Sequence, residues 1–591
     1  MMLTKLVEYA EREGLGDLDF EGRAADYELR IDATGRFVGL VPLAVDGDRH
    51  VLGHLPIGPK SKNNPGNPCF LIDNAQYVLG TAKKDAKEGN ADKCFESYKD
   101  LITTAARKSQ DEALIALERF LHEQPEVERA DEELKAREAR RASKPDASKK
   151  NVEKRGDMVL VPVFDPDGPT RMHERTHIVE WWKTHREEER AAAAGGPLAR
   201  CLVTGKLTPI ALTHGYIKGS PFQGTGAKLV SFDKDAFVSM GLDQGHNAPV
   251  SEEAQRKYTS AINALLEWDA ARKRRKSAID VDESVVIFWT KEPSDATSYV
   301  LDVLNPLPEG GDAVAASMAV WTGRQFKTFS PTPFYACTLA ANAGRVVVRD
   351  WFETTAAAVK QSLDGWFEDL RVGAAESEPV PLPALLDALE AAPGARNDKR
   401  GLPPGLATTL FRAAVLGGRL PVSLLAAAVA RMRVPPKEKQ RRDVIRLRVA
   451  VIKSVLRRTY QRKEIDVALD EKNTEPAYLL GRLFAVLERL QGAAQGDVNA
   501  SIRDRYYGAA SANPVAVFPR LIGLSMHHES KLRGESEGLA VWFDKLKTAI
   551  VGKLPADAFP ATLDLRSQGL FAVGYYQQRE SFFTKKGAEA S

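Results

Sequence analysis

The strongest constraint on the fold lies past the middle of the chain. Residues Ala374 to Pro383 form a Pro/Glu/Ser-rich connector, and beyond it nearly every stretch carries helical periodicity. Breaks fall at 394–405, Pro435-Pro436, Glu475-Pro476, 492–496 and 512–514, so the segment predicts several helices and no sheet. Before the connector, alternating strand patterns and helical patterns follow one another. The fold class read from this division is α+β: a mixed N-terminal body with β-hairpins and a ββα unit, plus an all-helical bundle as C-terminal domain. A chain of 591 residues is too long for one core, and typical domain sizes predict two to four domains. The expected segments are 1–155, 156–375 and 384–591. No repeat of solenoid period is visible.

Local signals fill in this frame. Met1 to Gly14 reads as an amphipathic helix, with Leu3, Leu6, Val7 and Tyr9 against Lys5, Glu8, Glu11 and Arg12. Tyr27, Leu29 and Ile31 alternate with polar residues, Asp32 to Gly35 supplies a turn, and Phe37 to Leu43 returns as the second strand. Asp85 to Leu121 reads helical, Glu126 to Lys154 reads as a linker or exposed helix, and Met158 to Phe164 reads as a strand. Strands are expected at Ser284 to Thr290, Phe334 to Ala340 and Arg345 to Trp351. The last two are joined by the turn 341–344 and followed by a helix carrying Val359, Leu363, Trp366, Phe367 and Leu370. That ββα order is of the kind found in RNA-recognition-like folds.

Composition excludes several classes. The longest apolar run, Leu420 to Val429, is about half the roughly 18 residues that span a bilayer, and the N-terminus lacks signal-peptide features. Cys69, Cys94, Cys201 and Cys337 form no CxxC pair, which argues against a zinc ribbon or a disulfide framework and predicts a cytoplasmic location. Net charge is only +3, but its distribution is uneven. Between Arg431 and Lys463 there are thirteen Lys or Arg against two acids, and Arg272, Lys273, Arg274, Arg275 and Lys276 are consecutive. Such clusters repel themselves unless they are solvated or matched by an anion, of which polyphosphate is the commonest.

A search for catalytic motifs finds one string, His173-Glu174-Arg175-Thr176-His177. On a helix the two histidines share a face and could hold zinc, with Glu174 as base. Arg175 does not suit a core-packed position, the preceding Pro-Asp-Gly-Pro loop threatens the helix start, and only His185 lies nearby as a third ligand. Gly224-Thr225-Gly226 lacks the rest of a phosphate loop, and Met526-His527-His528-Glu529 lacks metal-ligand spacing. With no catalytic group placed, the expectation is a protein that is not an enzyme and carries no cofactor or metal.

The polar loops say more. Lys60, Lys62, Asn63, Asn64 and Asn67 sit among Gly and Pro, combining point charges for phosphate with amides that can pair with base edges. Downstream, Asp73-Asn74 lies beside apolar residues and reads as a turn in which Asp73 caps the next helix.

The string Phe70-Leu71-Ile72-Asp73-Asn74-Ala75-Gln76-Tyr77-Val78-Leu79-Gly80 resembles a signature of the large subunit of subtype I-C CRISPR effector complexes (Cascade). So do Cys201-Leu202-Val203-Thr204-Gly205, His214, Ile217-Lys218-Gly219 and 226–232. Gln244 to Ser251, Tyr258, Asn263 to Leu266 and Ala477 to Ala485 match in the same order. One departure is Met240-Gly241, where the family usually has Tyr-Gly, and this weakens any aromatic contact there.

The resemblance implies a subunit of a crRNA-guided ribonucleoprotein that reads the short protospacer-adjacent motif (PAM) on double-stranded target DNA. It implies help in R-loop formation and recruitment of a helicase-nuclease in antiviral defence. Implied partners are crRNA, target DNA, the backbone and handle-binding subunits, and a small subunit translated from the same gene. That small subunit would correspond to about 466–591, with a start near Val467 and a helical stripe of Leu479, Leu483, Val486, Leu487 and Leu490. The expected PAM-proximal residues are Lys60, Lys62, Asn63, Asn64, Asn67 and Asn74, with Gln244 and Asn247 as a second loop. Phosphate or guide-RNA contacts are expected from 272–276, Arg345 and Arg349, and along the C-terminal unit from Arg482, Arg489, Arg503, Arg505 and Lys531. The rival readings are a zinc-dependent hydrolase built on His173 and His177, and a scaffold subunit without DNA readout.

Overall fold

The computed structural model describes residues 1–43, 50–58, 66–83, 89–142, 155–193, 198–232, 234–270, 273–281, 283–305, 329, 331–373, 380–389, 405–434, 441–496, 501–555 and 559–583. The chain forms two compact units. One comprises 1–215 and 230–261, the other 216–229 and 262–591. The boundary therefore does not follow the connector at 374–383, and the expected central segment is divided between the two units.

In the first unit, Tyr27–Ile31 and Phe37–Pro42 pair as the predicted antiparallel hairpin. Val159–Phe164 joins Tyr27–Ile31 in parallel, and the short strands Asp73–Asn74 and Thr170–Arg171 pair with it antiparallel. A separate ribbon pairs Phe20–Ala25 with His50–Pro56. The expected long helix after residue 85 is two helices, Asn90–Ser109 and Glu112–His122. Gln110 is left-handed at φ 56°, and Asp111 caps the second helix through Ala113 N–H. The charge-dense stretch after 124 is a helix, Gln124–Ala142, not a linker. It buries Val127, Ala130 and Leu134, and Glu138 accepts the Tyr27 hydroxyl.

The second unit is built on a four-stranded antiparallel meander in the order Ala278–Val281, Ser284–Thr290, Pro333–Asn342, Arg345–Thr355. The hairpin turn is the two residues Ala343-Gly344, because Asn342 already pairs with Arg345. The helix Ala356–Leu370 follows at once, completing the predicted ββα unit. A simple meander is not the strand order of an RNA-recognition fold. Trp289 and Tyr335 are each only 1% exposed, so these two sheet rings are closed to bases.

The helices that follow are continuous with this sheet. One hydrophobic core runs from Ile279 through Leu363, Phe411 and Leu480 to Tyr576, so the helical part shares its core with the ββα unit. At its centre lies Pro476–Gln495, buried on all sides from Ala477 to Leu487 and not along one stripe only. It packs against Leu565–Ser581 with backbone nearly touching. A Cβ on Gly481 would lie 2.1 Å from Phe571 O, and one on Gly574 would lie 2.2 Å from Tyr478 O. Only glycine allows that approach.

Candidate nucleic-acid interface

In the first unit the Phe70–Gly80 string is core. Phe70, Leu71 and Ile72 are buried, and Phe70 stacks on Trp182 at 4.9 Å. Leu71 is held at φ 61° while its carbonyl accepts the Tyr98 hydroxyl. Asp73 is buried. It accepts the Cys69 and Asn74 N–H groups, closing a turn and not capping the helix Ala75–Val78, which has no side-chain cap.

These contacts fix the base of the preceding polar loop. Ile57 is buried, and a Cβ on Gly58 would meet Arg23 Nη2 at 2.8 Å and Cys69 Sγ at 2.9 Å. Arg23 in turn donates to Ile72 O and Glu21. The described chain is thus held in packed structure up to Gly58 and again from Cys69 onward. Lys60, Lys62, Asn63 and Asn64 lie outside the described residues. Asn67 is half-buried, and Asn74 has its Oδ1 enclosed without a hydrogen-bond partner among the described residues.

The second loop is a 3-10 turn, Gln244–Asn247. Asn247 Nδ2 donates to Leu242 O and Gln244 O, so that amide closes its own turn and is not turned outward to a base. Gln244 is exposed with φ 43°, and Gly245 is seated so tightly that a Cβ would be 2.0 Å from Ala211 O. Val238, Met240 and Leu242 beside it are exposed, Met240 at 83%. Cys201 is buried among donors. Its sulfur accepts Thr204 N–H and Ser251 N–H, and those bonds outweigh burial and bring its pKa down to about 7.

The hydrolase geometry is absent. His173 is buried in the 3-10 turn Met172–Glu174, Arg175 is extended, and the helix begins only at Thr176. His177 is exposed, so the two imidazoles share no helical face. Arg175 is held by Asp111 and Glu112. Burial pushes the His173 pKa down to about 4.

In the second unit the basic run 272–276 divides by role. Trp268–Asp269 pairs with Arg274–Arg275 as a hairpin. Arg274 is buried on Asp302 and Asn305 O, and Arg275 is buried on Asp280, Leu266 O and Ser220 O. These two arginines fasten the hairpin to the body, which corrects the expectation that they meet phosphate. Lys273 is exposed at φ 50°, Lys276 is exposed and pairs with Glu267, and Arg272 lies outside the described residues. On the edge strand Arg345 is half-buried, and a backbone bridge ties it to Lys228. Arg349 is exposed at a β-bulge opposite Thr338 and Leu339, which turns it out of the regular alternation.

The C-terminal candidates split the same way. Arg482 is buried on Gln578, and Arg503 is buried with Nη2 on Met432 O, so neither presents a surface cation. Arg489, Arg505 and Lys531 are exposed.

The densest basic cluster is largely internal. Lys453 donates to Glu368 O and Arg371 O at the end of Ala356–Leu370. Arg448 and Arg431 donate to Ala388 O and Leu389 O at the end of Leu382–Leu389, and Arg448 also reaches Arg431 O in the last turn of Val422–Met432 and Val434 O just beyond it. Arg457 and Arg458 share Asp369. Cations at helix C-termini satisfy orphan carbonyls and oppose the helix dipole.

Three groups to which the sequence assigned no contact face solvent in the second unit. Tyr216 is 49% exposed with the Lys228 ammonium 4.8 Å from its ring centre, Lys218 is exposed, and Trp268 is 56% exposed. The signal for Trp268 is a lone indole between Glu267 and Asp269, where an apolar residue has no core to join.

Among the described residues no helix is long and apolar enough to cross a membrane. A comparison with curated proteins returns no match to the chain. The family model for CRISPR-associated protein (Cas_Csd1) matches residues 6–583, nearly the whole sequence, and the chain belongs to that family of CRISPR-associated proteins.

Proposed function

We propose that this chain is the large subunit of a type I-C crRNA-guided effector complex, reading the PAM on duplex DNA and performing no catalytic step itself. Membership of the CRISPR-associated family supplies the setting. The observation that carries the DNA-reading role is the pair of packed segments on either side of the Lys60 to Asn64 sequence, at Gly58 with Arg23 and at the Cys69–Asp73 turn. Lysines and amides carried between two packed segments suit contact with phosphates and base edges. In this assignment Lys60 and Lys62 meet phosphates, and Asn63 and Asn64 meet base edges. The protein reads the flank and the guide RNA reads the sequence. Exposed Arg349, Arg489, Arg505 and Lys531 are assigned to nucleic-acid backbones. Parting of the duplex, the bound backbone, handle-binding and small subunits, and recruitment of the helicase-nuclease belong to the same proposal, as does a cytoplasmic location.

Duplex binding by the assembled complex, with and without this subunit, tests it on targets differing only in the flanking trinucleotide. Flank-dependent affinity that needs this chain supports the assignment. A flank preference that survives its removal makes the chain a scaffold and ends it. Charge reversal of Lys60 and Lys62 is expected to weaken target binding at low salt and to flatten the salt dependence by roughly two counter-ions. Unchanged affinity at low and moderate salt would remove those residues from the interface.

A further inference from the structure

Beside the 268–275 hairpin lies a cleft of about 700 Å³, lined by Lys218, Asn263, Leu266, Trp268, Arg275 and Asp280 among others. Its volume falls inside the range of roughly 300–1,000 Å³ in which small ligand groups are held. The walls are stiff because their polar groups are already used by the chain. Asn263 Oδ1 accepts Lys218 N–H at 2.9 Å, and Asn263 Nδ2 donates to Tyr216 O at 3.0 Å. Arg275 is shared among Asp280, Leu266 O and Ser220 O. The carboxylates of Glu267 and Asp280 are each matched by a cation, Lys276 and Arg275.

Two groups remain uncommitted. The Trp268 indole is 56% exposed, and the exposed Lys218 ammonium has no partner among the described residues. An aromatic face beside a cation, with hydrogen-bonding walls already occupied, selects for a flat π-surface carrying negative charge and not for base edges. Bases in a duplex hide their faces in the stack, whereas an unpaired nucleotide offers one. Stacking of that kind tolerates any base.

We propose that this cleft holds one unpaired nucleotide of a single strand, with its base on Trp268 and its phosphate on Lys218. Lys273 at the hairpin tip extends the cationic track. The assignment rests on the proposed nucleic-acid role and adds to it a second site, in the other unit from the PAM loop, for strand already parted.

The test uses the full chain with labelled oligothymidylate and oligodeoxyadenylate, followed by fluorescence anisotropy. Trp268→Ala is expected to weaken both about ten-fold, and Trp268→Phe to keep most of the affinity. Lys218→Gln is expected to weaken both and to reduce the salt slope by about one counter-ion. The same Trp268→Ala chain, assembled in the complex, should keep its discrimination between flanks on closed duplex. Strand affinity unchanged in Trp268→Ala, or equally lost in Trp268→Phe, overturns the assignment. So does a Trp268→Ala defect in subunit assembly with strand binding intact, which would make the cleft a protein contact. A wild-type complex that ignores the flank but binds single strand through Trp268 overturns the proposed function and leaves the cleft assignment standing.

Discussion

Lys453 lies in the helical core with its ammonium on two carbonyl oxygens, and burial brings its pKa down to about 8. Arg448 beside the next helix end is depressed to about 10 by burial and by Arg503 and Arg431. In the sequence these residues are one dense basic run, and the charge pattern alone points to an anion or to solvent. A carbonyl at the end of a distant helix leaves no mark near the cation it attracts, so the capping role becomes visible only when the helices are assembled. His173 is partly similar: the Pro-Asp-Gly-Pro loop announced that the helix would start after it, but its burial in the core was not legible. Its titration is testable. The unfolded chain binds a proton below about pH 6.5, whereas the folded chain resists one until about pH 4. The contribution is full above pH 6.5 and is lost as pH falls toward 4, worth roughly 3 kcal/mol. Denaturant midpoints of wild type and His173→Gln at pH 7 and pH 4.5 should therefore shift relative to each other, the wild type losing ground to the variant as the solution is acidified. A gap that stays constant across that window would show that His173 is not held neutral.

At the scale of elements, the hairpins and the ββα unit were legible because turn chemistry and alternation are local. The strand Ala278–Val281 was not, since four residues behind a basic run carry too little pattern to be distinguished from a loop. The central helix Pro476–Gln495 was read as amphipathic, but over Ala477 to Leu487 its other faces are buried too and the stripe widens to the full circumference. Its pairing with Leu565–Ser581 depends on two glycines facing backbone. Gly574→Ala should push the helices apart and cost on the order of 3 kcal/mol, as overpacking in a core does. A thermal melt of the variant within a degree or two of wild type would contradict that contact.

For the whole molecule, the connector at 374–383 was visible, but it does not divide the fold, because the sheet and the helices share one core. Leu565–Ser581 packs not only on its C-terminal neighbours. A Cβ on Gly569 would lie 3.2 Å from both Ile452 Cγ2 and Leu425 Cδ1, from helices upstream of 466. A product beginning near Val467 would lose that cover and expose an apolar face. Expressed alone, 467–591 is expected to self-associate and to bind an environment-sensitive dye in light scattering and fluorescence. A monomer without dye binding would show that the segment closes its own core.

The carbonyl caps bear on how such a chain can diverge. A cation whose partner is DNA can drift to a neighbouring position and still find a phosphate, because phosphates repeat along the strand. A cation seated on Ala388 O or Arg371 O has one target in one place. Among natural variants, Arg448 and Lys453 should therefore stay fixed in position and type while Lys273 and Lys531 wander, and the most static positive charges would be those that never meet nucleic acid.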